Sequence, residues 1–162
     1  MIDTKILGAI ADLARLASWR MVYEARSGHF GGGASMAEIL ACLYFGGNLF
    51  YRPNELNWSL RDRVMVKGHP SALFYSILQY AGYAITDEEK RKWRRVPGAL
   101  LQGHVELGVP GVEYTAARLG QTLSYGVGEA FCAKRRGLPY KVFVVMGDGD
   151  NQKGQYKEAA VH

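Results

Sequence analysis

The chain has 162 residues, 48% hydrophobic and 22% charged, proportions that suit one globular domain with a sizeable core and exclude intrinsic disorder. A formal charge of +5 favours anionic ligands or neighbours. No apolar run is long enough to span a membrane and the first residues lack a signal-peptide pattern, so the cytoplasm is the expected location.

Ile6, Leu7, Ile10, Leu13, Leu16 and Ala17, with Asp3, Lys5, Asp12 and Arg15 between them, predict an amphipathic helix that runs to about residue 26. Ser27-Gly28-His29 follows, then a glycine-rich turn through Gly31-Gly32-Gly33 and a second helix over about 35–45. Residues 51–61, with Pro53, Asn54 and Asn57, read as loop. Arg63-Val64-Met65-Val66 is a short strand-forming run that ends in Lys67-Gly68-His69. Pro70 opens a helix over 71–80 that is apolar on most sides, expected to be buried, and stopped by Gly82.

Thr86-Asp87-Glu88-Glu89 reads as a capping box for a charged helix from 86 to about 95. The bases Lys90, Arg91, Lys92, Arg94 and Arg95 then fall where a helix C-terminus favours cations. With Lys134-Arg135-Arg136 they make eight of the twenty basic residues, and we read both clusters as solvated helix faces rather than a nucleic-acid patch. Residues 97–111 hold four glycines and two prolines around Gln102-Gly103-His104, the composition of an active-site loop on a scaffold. Helical spacing returns over 119–136, with Gly120, Ser124, Gly126, Gly128, Ala130 and Ala133 small enough to admit another backbone, either a partner subunit or the chain's own sheet. Cys42 and Cys132 stand in apolar, helix-like stretches with no partner at metal-ligand spacing, and are expected as buried free thiols of a reducing compartment.

Lys141-Val142-Phe143-Val144-Val145-Met146 is a continuous apolar run of the kind that a parallel sheet buries on both faces, and it ends in Gly147-Asp148-Gly149. Ligands of open α/β sheets bind beyond the carboxyl ends of the strands, where glycines allow a tight turn and close approach of a phosphate. Asp148 is a hard oxygen ligand suited to a Mg2+ that bridges to a diphosphate. Three of the four histidines follow directly on glycine. His29, His69 and His104 therefore look like imidazoles aimed into one polar pocket, each able to switch its proton near neutral pH.

These residues resemble a family. Ser27-Gly28-His29, the run from Asp62 to His69, Gly103-His104 followed by Pro110-Gly111-Val112-Glu113, Leu119-Gly120-Gln121 and Gly147-Asp148-Gly149 occur in the order and approximate spacing of the amino-terminal, diphosphate-binding domain of transketolase. The resemblance runs from about Leu13 onward. It implies an α/β/α sandwich with a mainly parallel sheet, thiamine diphosphate as cofactor, Mg2+ or Ca2+ held by Asp148, and transfer of a two-carbon ketol unit between sugar phosphates. It places His29, His69 and His104 over the reactive carbon of the cofactor as catalytic residues. His69, Ala117, Leu119, Gly147, Asp148, Gly149 and Glu158 become the cofactor-binding positions.

Against the family pattern, Lys153 stands where many members have a glutamate, Ala117-Arg118 replaces a Gly-Pro pair, and Phe30 replaces a common proline. The family completes its metal site with a later asparagine, beyond the thirteen residues that follow Gly149 here, and takes the aminopyrimidine half of the cofactor from a second domain on a neighbouring chain. The expectation is a single, incomplete diphosphate-side domain over residues 1–162, lacking its last strands and leaving a sheet edge open. It would come from a split enzyme's small subunit or from a truncation, be inactive alone, and pair with a pyrimidine-domain subunit, as a homodimer or heterotetramer. Three other readings stay open: a noncatalytic binding module of the same fold, a deoxyxylulose phosphate synthase-like enzyme and, more remotely, a phosphate-binding α/β domain unrelated to thiamine.

Overall fold

A computed structural model describes residues 2–116 and 118–161. Ten elements follow along the chain: α1 (Thr4–Ala25), α2 (Phe30–Ala34), α3 (Ala37–Phe45), β1 (Arg63–Val66), α4 (Ser71–Tyr80), α5 (Asp87–Lys92), α6 (Gln121–Arg135), β2 (Val142–Val145), α7 (Asp148–Asn151) and α8 (Gly154–Ala160). β1 and β2 pair in parallel, with Arg63 opposite Val142 and Val66 opposite Val145. This pairing brings the carboxyl ends of the two strands side by side.

Helices cover both faces of the pair. α6 lies on the face of Val142 and Val144, where Gly126 comes so close that a Cβ would overlap the Val144 side chain. Phe143 points the other way, into a groove shared with Ile39, Cys42 and Leu43 of α3. Beyond it α1, α3 and α4 pack on one another. Side chains of α4 from Ser71 through Leu78 are all buried, because this helix is surrounded. Leu73, Phe74, Ile77 and Leu78 are wholly inaccessible, and each contributes about 1.5–3 kcal/mol by leaving water. The small residues of α6 thus serve the chain's own sheet at Gly126, whereas Gly128 faces open space.

Polar side chains set the strand register. Asp62, 5% exposed, accepts from the amides of Phe50 (2.9 Å) and Lys141 (2.7 Å) and so ties together the chain segments that enter the two strands. The guanidinium of Arg61 forms a forked pair with Glu113, whose Oε2 lies 3.0 Å from one of its nitrogens.

Several expectations need correction. Gly31-Gly32-Gly33 lies within the short helix α2 and not in a turn. The charged helix ends at Lys92 instead of about residue 95: Trp93 turns inward to 1% exposure and Arg94 takes a left-handed conformation with φ 56°. Cys42 and Cys132 are free, as expected, but exposed: Cys42 lines the open groove beside Phe143, and Cys132 stands on the side of α6 that carries Gly128 and Glu129. β2 is only partly covered, with Val145 its one fully buried residue. Among the described residues no helix is long and apolar enough to cross a membrane.

Candidate active site

Each glycine of the three Gly-His pairs sits where a side chain has no room. At Gly28, with φ +133°, a Cβ would lie 2.7 Å from the Trp93 ring and 2.9 Å from Val22. At Gly68 it would overlap the carbonyl oxygen of Ala116, and at Gly103 it would stand 2.7 Å from Nε of Arg94. The pairs are therefore close contacts between segments distant in sequence, and each contact carries the next residue, a histidine, to one place. His29 caps α2, His69 lies between β1 and α4, and His104 belongs to the long loop before α6.

The three rings meet. His29 and His69 have centroids 4.7 Å apart, His69 and His104 5.7 Å, and His29 and His104 6.4 Å. Their nearest nitrogens all lie within 4.8 Å of one another. α4 holds the His104 segment: Ser71 donates to the Gly103 carbonyl (2.9 Å) and Tyr75 to the His104 carbonyl (2.7 Å). Burial pushes the Tyr75 phenol up, so it remains a donor.

Burial and neighbouring charges hold two of these imidazoles below their ordinary pKa. His29, though open on one side, is held below the ordinary imidazole value first by partial desolvation and then by the charges of Arg94, His104 and Lys67. For His69 the order is desolvation, His29, His104 and Lys67, with Asp150 opposing. Neutral imidazoles can take a proton from a substrate oxygen.

A second group lies at the adjoining strand end. The amide of Lys67 donates to the Val145 carbonyl at 3.1 Å, which holds Lys67-Gly68-His69 beside Gly147-Asp148-Gly149. Asp148 opens α7 and is exposed. The other aspartate of this loop, Asp150, is 1% exposed, and its two oxygens accept from the amides of Gly120 (2.8 Å) and Gly147 (3.0 Å). Asp148 is thus the carboxylate free for a ligand. A Cβ on Gly149 would meet only Leu119, at 3.6 Å. Glu158 is exposed on α8, and Ala117 lies outside the described residues.

Three functional residues escaped the sequence reading. Arg94, taken there as part of a solvated helix, donates to Ser27 Oγ (3.1 Å) and to the Gly103 carbonyl (3.0 Å) and so staples two of the histidine segments together. Lys67 places its ammonium where a side chain on residue 147 would be, 3.8 Å from the Cβ position of Gly32. Asp150 fastens the Gly120 turn to the Gly147 loop. Only Lys67 had a local signal, as the cation beside a Gly-His pair at a strand end.

Fold and site together define a domain of the transketolase family. The family profile described as "Transketolase, thiamine diphosphate binding domain" matches residues 6–161, and the chain belongs to that family. One subunit of the apulose-4-phosphate transketolase of Phocaeicola vulgatus is 38% identical over 142 residues, spanning 87% of this chain and 50% of the relative. The 6-deoxy-6-sulfo-D-fructose transketolase subunit SqwG of Clostridium sp. is 35% identical over 139 residues, 83% of this chain and 48% of the relative. Transketolase from Campylobacter jejuni superposes with a TM-score of 0.92 at 34% identity, over 98% of this chain and 26% of that one. The chain therefore spans about half the length of the subunit-sized relatives and about a quarter of the structure from Campylobacter jejuni. Its fold is an α/β thiamine diphosphate-binding fold of the transketolase type.

Proposed function

We propose that this chain is the diphosphate-side part of a split transketolase, moving a two-carbon ketol unit from a ketose phosphate to an aldose phosphate in complex with a pyrimidine-domain subunit, and without turnover when alone. The observation that carries this reading is the meeting of His29, His69 and His104 at the end of β1, beside the Gly147–Gly149 loop at the end of β2. Two of the similar proteins are named as subunits of transketolases, which supports the split arrangement. The three Gly-His pairs find no use in a phosphate-binding domain unrelated to thiamine.

The residues present fit thiamine diphosphate and its divalent ion. Asp148 is an exposed carboxylate on the glycine loop, suited to Mg2+ or Ca2+. Gly149 has only Leu119 close to where a side chain would be, and Lys67 adds a cation beside the loop. When bound, the cofactor supplies the electron sink for cleaving and forming the carbon–carbon bond. The chain's own part is to hold and move protons: His69 and His104 face the donor's hydroxyl and carbonyl oxygens, and His29, at the exposed side, exchanges protons with the acceptor. Each transfer to or from an oxygen near neutral pH is work suited to an imidazole. Lys153 in place of a family glutamate alters any proton coupling between paired cofactor sites.

The test is reconstitution of the complete diphosphate-side domain containing these residues with a matching pyrimidine-domain subunit, thiamine diphosphate and Mg2+, followed by ketol transfer between a ketose phosphate and an aldose phosphate. We expect transfer in the complex that falls by about two orders of magnitude or more in His69→Ala. Equal turnover by wild type and by the His29, His69 and His104 alanine variants would overturn the reading, and a complex that binds no thiamine diphosphate would favour a noncatalytic module.

A further inference from the structure

The three imidazoles have a second chemistry available to them. Their nitrogens come within 4.8 Å of one another from three separate segments, and among the described residues no hydrogen bond engages any of these nitrogens, whereas the His104 backbone is fixed by Tyr75. Three nitrogens on a tetrahedral ion stand about 3.4 Å apart, given metal–nitrogen bonds of about 2.0–2.1 Å. Rotation of the imidazoles closes the difference, because His29 is exposed and the other two are only half-buried. Three histidines with one open position form the donor set that Zn2+ takes in catalytic sites.

We propose that His29, His69 and His104 form a binding site for Zn2+ and the other imidazole-preferring divalent ions, separate from the hard-cation position at Asp148, and that an ion there shuts off the histidines. Ligand type separates the two sites: imidazole suits Zn2+, Co2+, Ni2+ and Cu2+, while Mg2+ prefers carboxylate, phosphate and water oxygens. Arg94 and Lys67 lie near enough to perturb His29, and as cations they weaken the site relative to a dedicated zinc centre, so that it responds to changes in free metal. The inhibitory consequence rests on the proposed role of the histidines in proton transfer; the binding itself does not.

Titration of the purified chain with Co2+ in a millimolar excess of Mg2+, read by the visible d–d absorption, tests this. The expected result is one Co2+ per chain with the intense bands of a four-coordinate site, displaced by an equivalent of Zn2+. Binding should weaken at least about tenfold in each of His29→Ala, His69→Ala and His104→Ala, and in the corresponding glutamine variants, which keep much of the ring's bulk. Asp148→Ala should leave the cobalt spectrum unchanged while abolishing any Mg2+-dependent cofactor binding, so a failure of the metal site and a failure of the cofactor reading are seen separately. A spectrum that never departs from that of hydrated Co2+, or one indifferent to the three substitutions, overturns the proposal. So does a spectrum lost in His162→Ala but not in the three.

Discussion

Oδ1 of Asp150 accepts the amide hydrogen of Gly120 across 2.8 Å, thirty residues away in sequence, while Oδ2 accepts from Gly147. One buried carboxylate thereby fixes the turn that leads into α6 against the loop that follows β2. Both segments carry positions, Leu119 and Gly147–Gly149, that the family resemblance assigns to the cofactor. Asp150→Asn keeps the shape but replaces one acceptor by an NH2 group that faces an amide donor. A loss of about 2 kcal/mol is expected, read as a lower urea midpoint at unchanged slope. An unchanged midpoint would mean that the two loops are held by other contacts.

Gly68→Ala tests the closest contact that a glycine makes with another segment's backbone. The new methyl would overlap the Ala116 carbonyl oxygen and press on the His104 ring, and backbone cannot step aside as a side-chain tip can. We expect destabilisation of about 3 kcal/mol, the upper end of ordinary overpacking. Gly128→Ala, where a Cβ meets open space, is the matched control and should gain about 0.5 kcal/mol from helix propensity.

Arg94→Met removes both staples, to Ser27 and to the Gly103 carbonyl, with similar side-chain length. Stability should fall by about 1 kcal/mol. A structural loss alone would stop there; removal of the nearby cation should also raise the His29 pKa, which proton NMR of the imidazole resonances follows directly. Arg94→Lys keeps the charge and should leave that value nearly where it is.

Stability should depend on pH through His29 and His69. Both are held below the ordinary imidazole value of 6.5 when folded, so between that value and the lower folded one the unfolded chain binds more protons. Acidification through this window therefore costs stability, and above it the contribution is constant. Urea midpoints measured from about pH 7.5 to about pH 5 should fall on the acid side of 6.5, and less steeply in a His29→Gln, His69→Gln double variant. Identical profiles would place the pH dependence elsewhere.

Much of this architecture was legible in local pattern. Arg63–Val66 reads as a strand and is one, because a strand-forming run bounded by Asp62 and Gly68 leaves little alternative. The capping box at Thr86 and Glu89 forms as its spacing demands. The convergence of the histidines was legible too, since glycine before histidine marks a close contact followed by a ligand group. What the sequence hid are contacts between remote segments. Nothing local distinguishes Asp150, which is buried and structural, from Asp148, which is exposed. Arg94 looked like the last turn of a charged helix, but Trp93 gains more by burial than the helix gains by continuing, and the chain leaves the helix there. The cysteines were misjudged for a related reason: α3 is apolar nearly all round, and its pattern alone cannot tell which side the sheet covers.

Binding of thiamine diphosphate at the Gly147–Gly149 loop, by way of a divalent ion on Asp148, is the proposal on which the ketol-transfer reading depends. It is open to calorimetric titration of the cofactor into the complex of the complete diphosphate-side domain containing these residues with a pyrimidine-domain subunit, first with Mg2+ and then with EDTA. We expect binding that requires Mg2+ and is lost in Asp148→Ala while the variant keeps its fold. Binding of equal strength without the metal or without the Asp148 carboxylate would contradict it.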